Sequence, residues 1–160
     1  MLFRSGQARG AVEHLDIQEV ISFLPDRDLA QPLPAQTRVG HIHLHVADLQ
    51  KSVDFYGEVI GFRPNAWEPL FGMADMQAGG SFPHRIALNE WQGHGAPQRP
   101  AGTAGLRRFE LRVRSQDQLA AVVARYEALA GEAAGQGPDG VLIHDPAGNS
   151  ITLAVEASSE

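Results

Sequence analysis

Three histidines at alternate positions are the first residues in the chain whose type and spacing could support chemistry. His41, His43 and His45 lie in the segment GHIHLHVADLQ, at residues 40–50. A β-strand sends alternate side chains to the same face, so we expect the three imidazoles to share one space while the apolar residues between them face the other way. Neutral imidazole is a common metal ligand. The spacing therefore predicts a histidine surface that could hold a metal if further ligands converge on it.

Composition limits which chemistry is available. The chain has 160 residues, no cysteine and a formal net charge of −6. Without cysteine, any metal site must use His, Asp, Glu, Tyr or water. The acidic balance and the lack of a basic patch argue against a nucleic-acid partner, and no apolar run approaches the ~20 residues that span a bilayer. We therefore expect a cytoplasmic protein with no membrane partner.

The hydrophobic periodicity of the sequence changes near residue 37. Residues 1–36 show no sustained periodicity, although 12–24 could form a short amphipathic helix, and 25–36 contain three prolines. This pattern predicts a linker with a short helix, and we expect the natural chain to continue upstream of it.

The organised region contains an internal duplication. RFELRV at 108–113 overlays HIHLHV at 41–46, offset by 67 positions. In both copies the strand is followed by a helical stripe and further strands. Asp48 and Ser115 are predicted to cap the two helices, and Gly61 and Gly131 to end them. The duplication predicts an α+β domain over 37–156. Two tandem βαβββ units, at about 37–92 and 105–156, would form one curled mixed-sheet cup.

Several segments of this region resemble those of a known family. LPAQTRVGHIHLHV, QAGGSFPHRIALNEWQGHGAP and HDPAGNSITL are similar to segments of the vicinal oxygen chelate superfamily, which includes glyoxalases, bleomycin-binding proteins and extradiol dioxygenases. Within it, the chain most resembles the C-terminal half of bacterial catechol-2,3-dioxygenases built from four units. The resemblance implies a full-length protein with Fe(II), a small aromatic diol substrate, an N-terminal half and an ability to form homo-oligomers.

The resemblance also implies where the metal ligands should be. The dioxygenases hold Fe(II) with two His and one Glu, and the first His corresponds to His41. The position of the second His holds Arg108, and the position of the Glu holds Thr152. In the first unit, the residue that corresponds to Thr152 is Ala87. A guanidinium cannot bind a metal ion, and a neutral hydroxyl is a weak ligand. The resemblance therefore implies a metal-degenerate half that binds no iron and is inactive alone.

Other arrangements of the same cleft remain open. A rewired site could use His41, His43 and Glu110. Alternatively, Arg108, Glu110 and Arg112 could pair with each other and with the histidines, which would satisfy their charges without an ion.

A further arginine is expected in the cleft. Arg85 shares a strand face with Ala87 and is expected there, with His84 on the opposite face. Two cleft arginines, 85 and 108, would repel a divalent cation and attract a carboxylate or phosphate. The predicted cleft-lining residues are His45, Arg85, Ala87 and Arg112.

Three function classes follow from the sequence. The first is one half of an extradiol ring-cleaving enzyme. The second is a glyoxalase-type metal enzyme, whose missing ligands an identical second chain would also lack. The third is a metal-free module that binds a small ligand in the cup.

Overall fold

The computed structural model describes residues 3–4, 7–8, 16–23, 30, 32–80, 84–100, 102–137 and 139–157. The chain divides into two compact units, Met1–Arg38 and Val39–Glu160. The boundary lies two residues beyond the predicted end of the linker.

The described residues of the first compact unit include two short strands and one helix. Strands β1 (Phe3–Arg4) and β2 (Gln7–Ala8) pair antiparallel, which the sequence pattern did not indicate. Helix α1 spans Ile17–Ser22, and the Asp16 carboxylate caps it by accepting two backbone N–H groups at 2.9 and 3.0 Å. This helix lies within the segment 12–24, of which residues 12–15 and 24 lie outside the described residues.

The first sheet of the second compact unit follows the order β3-β6-β5-β4. Strands β3 and β6 are parallel and the other pairs antiparallel. Its elements are β3 (Ile42–His45), α2 (Leu49–Asp54) with a π-helical continuation (Phe55–Ile60), β4 (Arg63–Glu68), β5 (Met73–Gln77) and β6 (Ile86–Asn89).

The second sheet repeats this arrangement, in the order β7-β10-β9-β8 with β7 and β10 parallel. The predicted pair of βαβββ units is therefore confirmed. Strand β8 was missed because it has only three residues, two of them glycine. The elements are β7 (Phe109–Val113), α3 (Gln116–Ala130), β8 (Gly135–Gly137), β9 (Gly140–His144) and β10 (Ser150–Val155).

The residues predicted to begin and end the two helical segments do so. The side chains of Asp48 and Ser115 accept the backbone N–H three residues on, at 3.0 and 3.2 Å. Gly61 and Gly131 follow the last helical residues with φ of +93° and +69°, a left-handed conformation that favours glycine. Local sequence thus determines how long each helical segment runs.

The two βαβββ units share one hydrophobic core. Phe55, in the first helical segment, meets Tyr126 of α3 edge to face, with ring centroids 6.4 Å apart. Arg125 Nε donates to the backbone oxygen of Val59 at 2.9 Å. Each unit therefore covers apolar surface of the other. No helix in the described part of the chain is long and apolar enough to cross a membrane.

Candidate functional site

The predicted histidine surface forms on one face of β3. His41, His43 and His45 are exposed, whereas Leu44 and Val46 are 2% and 3% exposed. The alternation expected from the sequence is present because β3 is a regular strand whose Leu44 and Val46 lie in the hydrophobic core.

Strand register places a buried carboxylate beside this surface. His43 is opposite Ala87 on β6, and Ala87 is opposite Asp75 on β5. Asp75 is 7% exposed, and its Oδ1 accepts hydrogen bonds from Asn65 Nδ2 at 2.7 Å and from the backbone N–H of Ala66 at 3.1 Å. Sequence reasoning missed Asp75, although a lone acidic residue within an apolar strand indicates that its carboxylate has hydrogen-bond or charge partners.

His84 joins the histidine surface. Its ring meets that of His41 with centroids 4.5 Å apart, and its Nδ1 lies 3.6 Å from Asp75 Oδ2. The sequence pattern placed His84 on the opposite face and Arg85 in the cleft. Because β6 begins only at residue 86, strict alternation does not extend to these two residues. The Arg85 guanidinium donates to the backbone oxygen of Gly40 at 3.2 Å.

The surface is bounded by Trp91. Its ring lies edge-on to His43 with centroids 5.1 Å apart, and its Nε1 donates to the backbone oxygen of Phe71 at 2.8 Å. Partial burial lowers the pKa of His43 from its ordinary value, and positive charge on His41, His45 or His84 lowers it further. Both effects favour the neutral form of His43.

The second sheet carries the other predicted positions. Register sets Thr152 opposite Glu110 and Ala154 opposite Arg112. Arg112 Nε donates to Glu110 Oε1, as expected for a self-paired network. Arg108 departs from that expectation, because its Nη2 lies 3.4 Å from Oδ2 of Asp139. Asp139 lies between β8 and β9. That carboxylate could not be assigned to Arg108 while β8 was unrecognised.

Thr152 leaves a polar atom without a partner. The residue is 2% exposed, and among the described residues its Oγ1 has no hydrogen-bond partner. In the superfamily pattern this position belongs to a charged carboxylate ligand. Here it holds a neutral, buried hydroxyl, so the position cannot balance the charge of an iron ion.

The residues do not fit the iron triad that the resemblance implied. Within the described ranges, no group of three or more His, Asp or Glu side chains is arranged to hold a metal ion. This applies to the rewired set of His41, His43 and Glu110 as well. The first sheet does bring together His41, His43, His45 and Ala87, but these residues do not form a complete ligand set.

Sequence comparisons match parts of the chain to a family model and to a curated protein. A family model described as bleomycin resistance protein-like N-terminal matches residues 38–79. Catechol-2,3-dioxygenase from Bacillus subtilis (strain 168) is 37% identical over 97 residues, which cover 58% of this chain and 32% of that protein. The chain thus spans about a third of the length of this curated relative.

Structural comparisons find the same paired-unit fold. A glyoxylase/bleomycin resistance protein/dioxygenase domain from Frankia sp. EAN1pec matches with a TM-score of 0.60 and 21% identity, covering 76% of this chain and 98% of that one. Lactoylglutathione lyase from Agrobacterium tumefaciens matches with a TM-score of 0.56 and 21% identity, covering 76% and 96%. The duplicated βαβββ fold, the family model over residues 38–79 and the related dioxygenase segment support the assignment of the chain to the vicinal oxygen chelate superfamily.

Proposed function

We propose that this chain is a non-catalytic pair of βαβββ units belonging to a catechol-2,3-dioxygenase-like enzyme. In this proposal, Fe(II)-dependent cleavage of a small aromatic diol takes place in another pair of units of the same protein. The likeness to the Bacillus subtilis dioxygenase, over about a third of that protein's length, supports the class of enzyme. The altered ligand positions support the non-catalytic role.

The observation that carries the proposal is the guanidinium at position 108. A two-His-one-carboxylate site binds Fe(II) through neutral imidazoles and an anionic oxygen. Arg108 is a permanent cation whose partner is the Asp139 carboxylate, and it offers no lone pair to a metal. A cation in place of a ligand repels the metal ion as well as failing to bind it.

Position 152 adds a second, independent obstacle. The Thr152 hydroxyl is buried between neighbouring strands and neutral, so it supplies no negative charge. With both positions altered, His41 alone keeps a side chain that matches the ligand pattern. One imidazole is insufficient for a facial triad.

The glyoxalase-type alternative meets the same obstacle. Such an enzyme could complete its metal site with residues from a second copy of the chain. An identical copy brings the same Arg108 and Thr152, so symmetry supplies no additional ligand. We therefore favour the supporting role over an independent metal enzyme.

The first test is activity of the chain as it stands. We expect that loading with Fe(II) under anaerobic conditions, followed by catechol and air, yields no yellow ring-opened product. Formation of that product at a rate above the iron-only control would contradict the proposal.

The second test restores the expected ligands. Arg108→His combined with Thr152→Glu should raise affinity for a divalent ion such as Co²⁺ at least ~10-fold, since two missing donors return. Arg63→His with Thr103→Glu makes the same chemical changes at exposed positions and should produce no gain. Calorimetry measures both variants, after circular dichroism has confirmed that they fold. Equal affinities would show that positions 41, 108 and 152 do not converge.

A further inference from the structure

A cavity of about 530 Å³ lies alongside β3, an edge strand of the first sheet. His43 and His45 contribute one wall. The segment between β6 and β7, which joins the two βαβββ units, contributes a second wall through residues 92, 96–99, 104 and 106. The turn at 146–149 between β9 and β10 lines the cavity as well. Small-molecule sites usually enclose about 300–1,000 Å³, so the volume suits one small ligand.

The connecting segment is held in place as a wall. The backbone N–H of Gly95 donates to the oxygen of Ala47 at 2.6 Å, which attaches the segment to the end of β3. Further along, the segment folds around the Arg99 guanidinium, which donates to the backbone oxygens of Ala104 at 3.1 Å and Leu106 at 3.5 Å. These contacts position a cationic side chain at the cavity.

Two glycines leave the space that this arrangement requires. A methyl group at Gly105 would overlap the Arg99 guanidinium. A methyl group at Gly148, where φ is +80°, would lie 2.7 Å from Nε2 of Gln98. The side chains of Arg99 and Gln98 therefore each pack against backbone that carries no side chain.

The charge of the lining is unusual for this protein. Arg99 carries the permanent charge of the described lining, which includes no Asp or Glu, although the chain has 19 acidic and 13 basic residues. The two carbonyls occupy only part of the five N–H donors of a guanidinium. Arginine binds carboxylates through such donors, often two at a time. The lining therefore favours an anion.

The remaining lining is largely apolar. Pro97, Leu106 and Pro146 contribute hydrocarbon surface, and several alanines enlarge it. An inorganic anion would leave this apolar surface in contact with water. A ligand with a carboxylate at one end and an apolar body matches both parts of the lining.

We propose that this cavity binds a small organic carboxylate, with Arg99 contacting the carboxylate and the proline and leucine side chains contacting its apolar body. The proposal goes beyond the supporting role argued above and does not depend on it. Neither Arg108 nor Thr152 lines the cavity, so the tests of ring cleavage and of carboxylate binding succeed or fail separately.

The first test compares three probes on the unmodified chain. We expect benzoate to bind at least 10-fold more tightly than benzamide, its neutral isostere, and than acetate, which lacks the apolar body. In amide NMR spectra, benzoate should shift residues 43–47, 92–106 and 146–149 and leave 108–112 unchanged. Equal binding of benzamide, or shifts confined to 108–112, would overturn the proposal.

The second test uses variants and a matched control. Arg99→Gln should weaken benzoate binding at least 10-fold. Gly105→Ala should do the same while keeping the charge, because it displaces the guanidinium. Arg63→Gln removes an exposed arginine on β4, the opposite edge of the sheet, and should change nothing. An equal loss in Arg63→Gln would show that net charge and not this site attracts the ligand. The probe comparison needs no variant, so it decides the matter even if a substituted chain fails to fold.

Discussion

The hydroxyl of Tyr56 donates a hydrogen bond to Oδ2 of Asp145 at 2.9 Å, and both residues are buried. The bond joins the helical segment of the first βαβββ unit to the turn before the last strand of the second. The same carboxylate accepts the backbone N–H groups of Ala147 and Asn149 at 3.0 and 2.8 Å. One aspartate therefore shapes the DPAGN turn and connects the two units.

Removing the tyrosine hydroxyl should destabilise the shared core. We expect Tyr56→Phe to lower the free energy of unfolding by about 2 kcal/mol, since a buried carboxylate loses a donor. Tyr126→Phe is the matched control: that hydroxyl donates to Glu132, an exposed residue, so the loss should be below about 1 kcal/mol. Urea denaturation measures both. Equal losses would indicate that the Tyr56–Asp145 bond contributes nothing specific to the connection between the units.

Alkaline pH should act on the same bond. Burial raises the pKa of the Tyr56 hydroxyl well above its ordinary value of 10.0, and the negative charge of Asp145 raises it further. Above that ordinary value the unfolded chain releases the proton while the folded chain keeps it, so stability is fully present below pH 10 and falls as pH rises.

The pH effect is measured as a slope. Between pH 10 and 11 the wild-type free energy of unfolding should fall more steeply than that of Tyr56→Phe, by up to about 1.4 kcal/mol per pH unit. Tyr126, whose pKa is also raised by burial, is present in both proteins and cancels from the difference. Parallel slopes would mean that Tyr56 ionises equally in the folded and unfolded chains.

Removing the hydroxyl of Thr152 should stabilise the fold, whereas removing that of Tyr56 should destabilise it. Its Oγ1 is buried and has no hydrogen-bond partner among the described residues. Thr152→Val keeps the shape and removes the unsatisfied group, so we expect a gain of about 1 kcal/mol in the free energy of unfolding. Thr103→Val, at an exposed position, should change stability by less than about 0.5 kcal/mol. Denaturant titration that shows a loss in Thr152→Val would indicate that the hydroxyl has a partner, such as an ordered water.

Much of the fold could be predicted because its signals are local. The alternation in HIHLHV predicts a strand with one histidine face, and Asp48 with Gly61 marks where the first helical segment begins and ends. The repeat of this pattern from residue 108 predicts a second unit with the same order of elements. Each of these inferences depends on residues within a few positions of one another.

The site could be predicted only in part because its members meet through register and loop packing. Asp75 reaches the histidine surface since β5 pairs with β6, and His84 reaches it because the chain before β6 is not a regular strand. Arg108 was expected to pair within its own strand, yet its partner Asp139 follows a strand too short to recognise. No local pattern encodes these pairings.

The sequence by itself determined the duplicated βαβββ architecture and the chemical character of positions 41, 108 and 152, because periodicity, capping and residue type are properties of the chain. The tertiary structure alone decided which groups became partners: the Asp75 carboxylate beside the histidines, the Tyr56–Asp145 bond between the units, and the Arg99 guanidinium at a cavity whose described lining has no carboxylate. The physical reason is that hydrogen bonds and charge pairs depend on distances of a few ångströms, and for residues far apart in sequence those distances exist only after the two sheets and their connecting segment have packed.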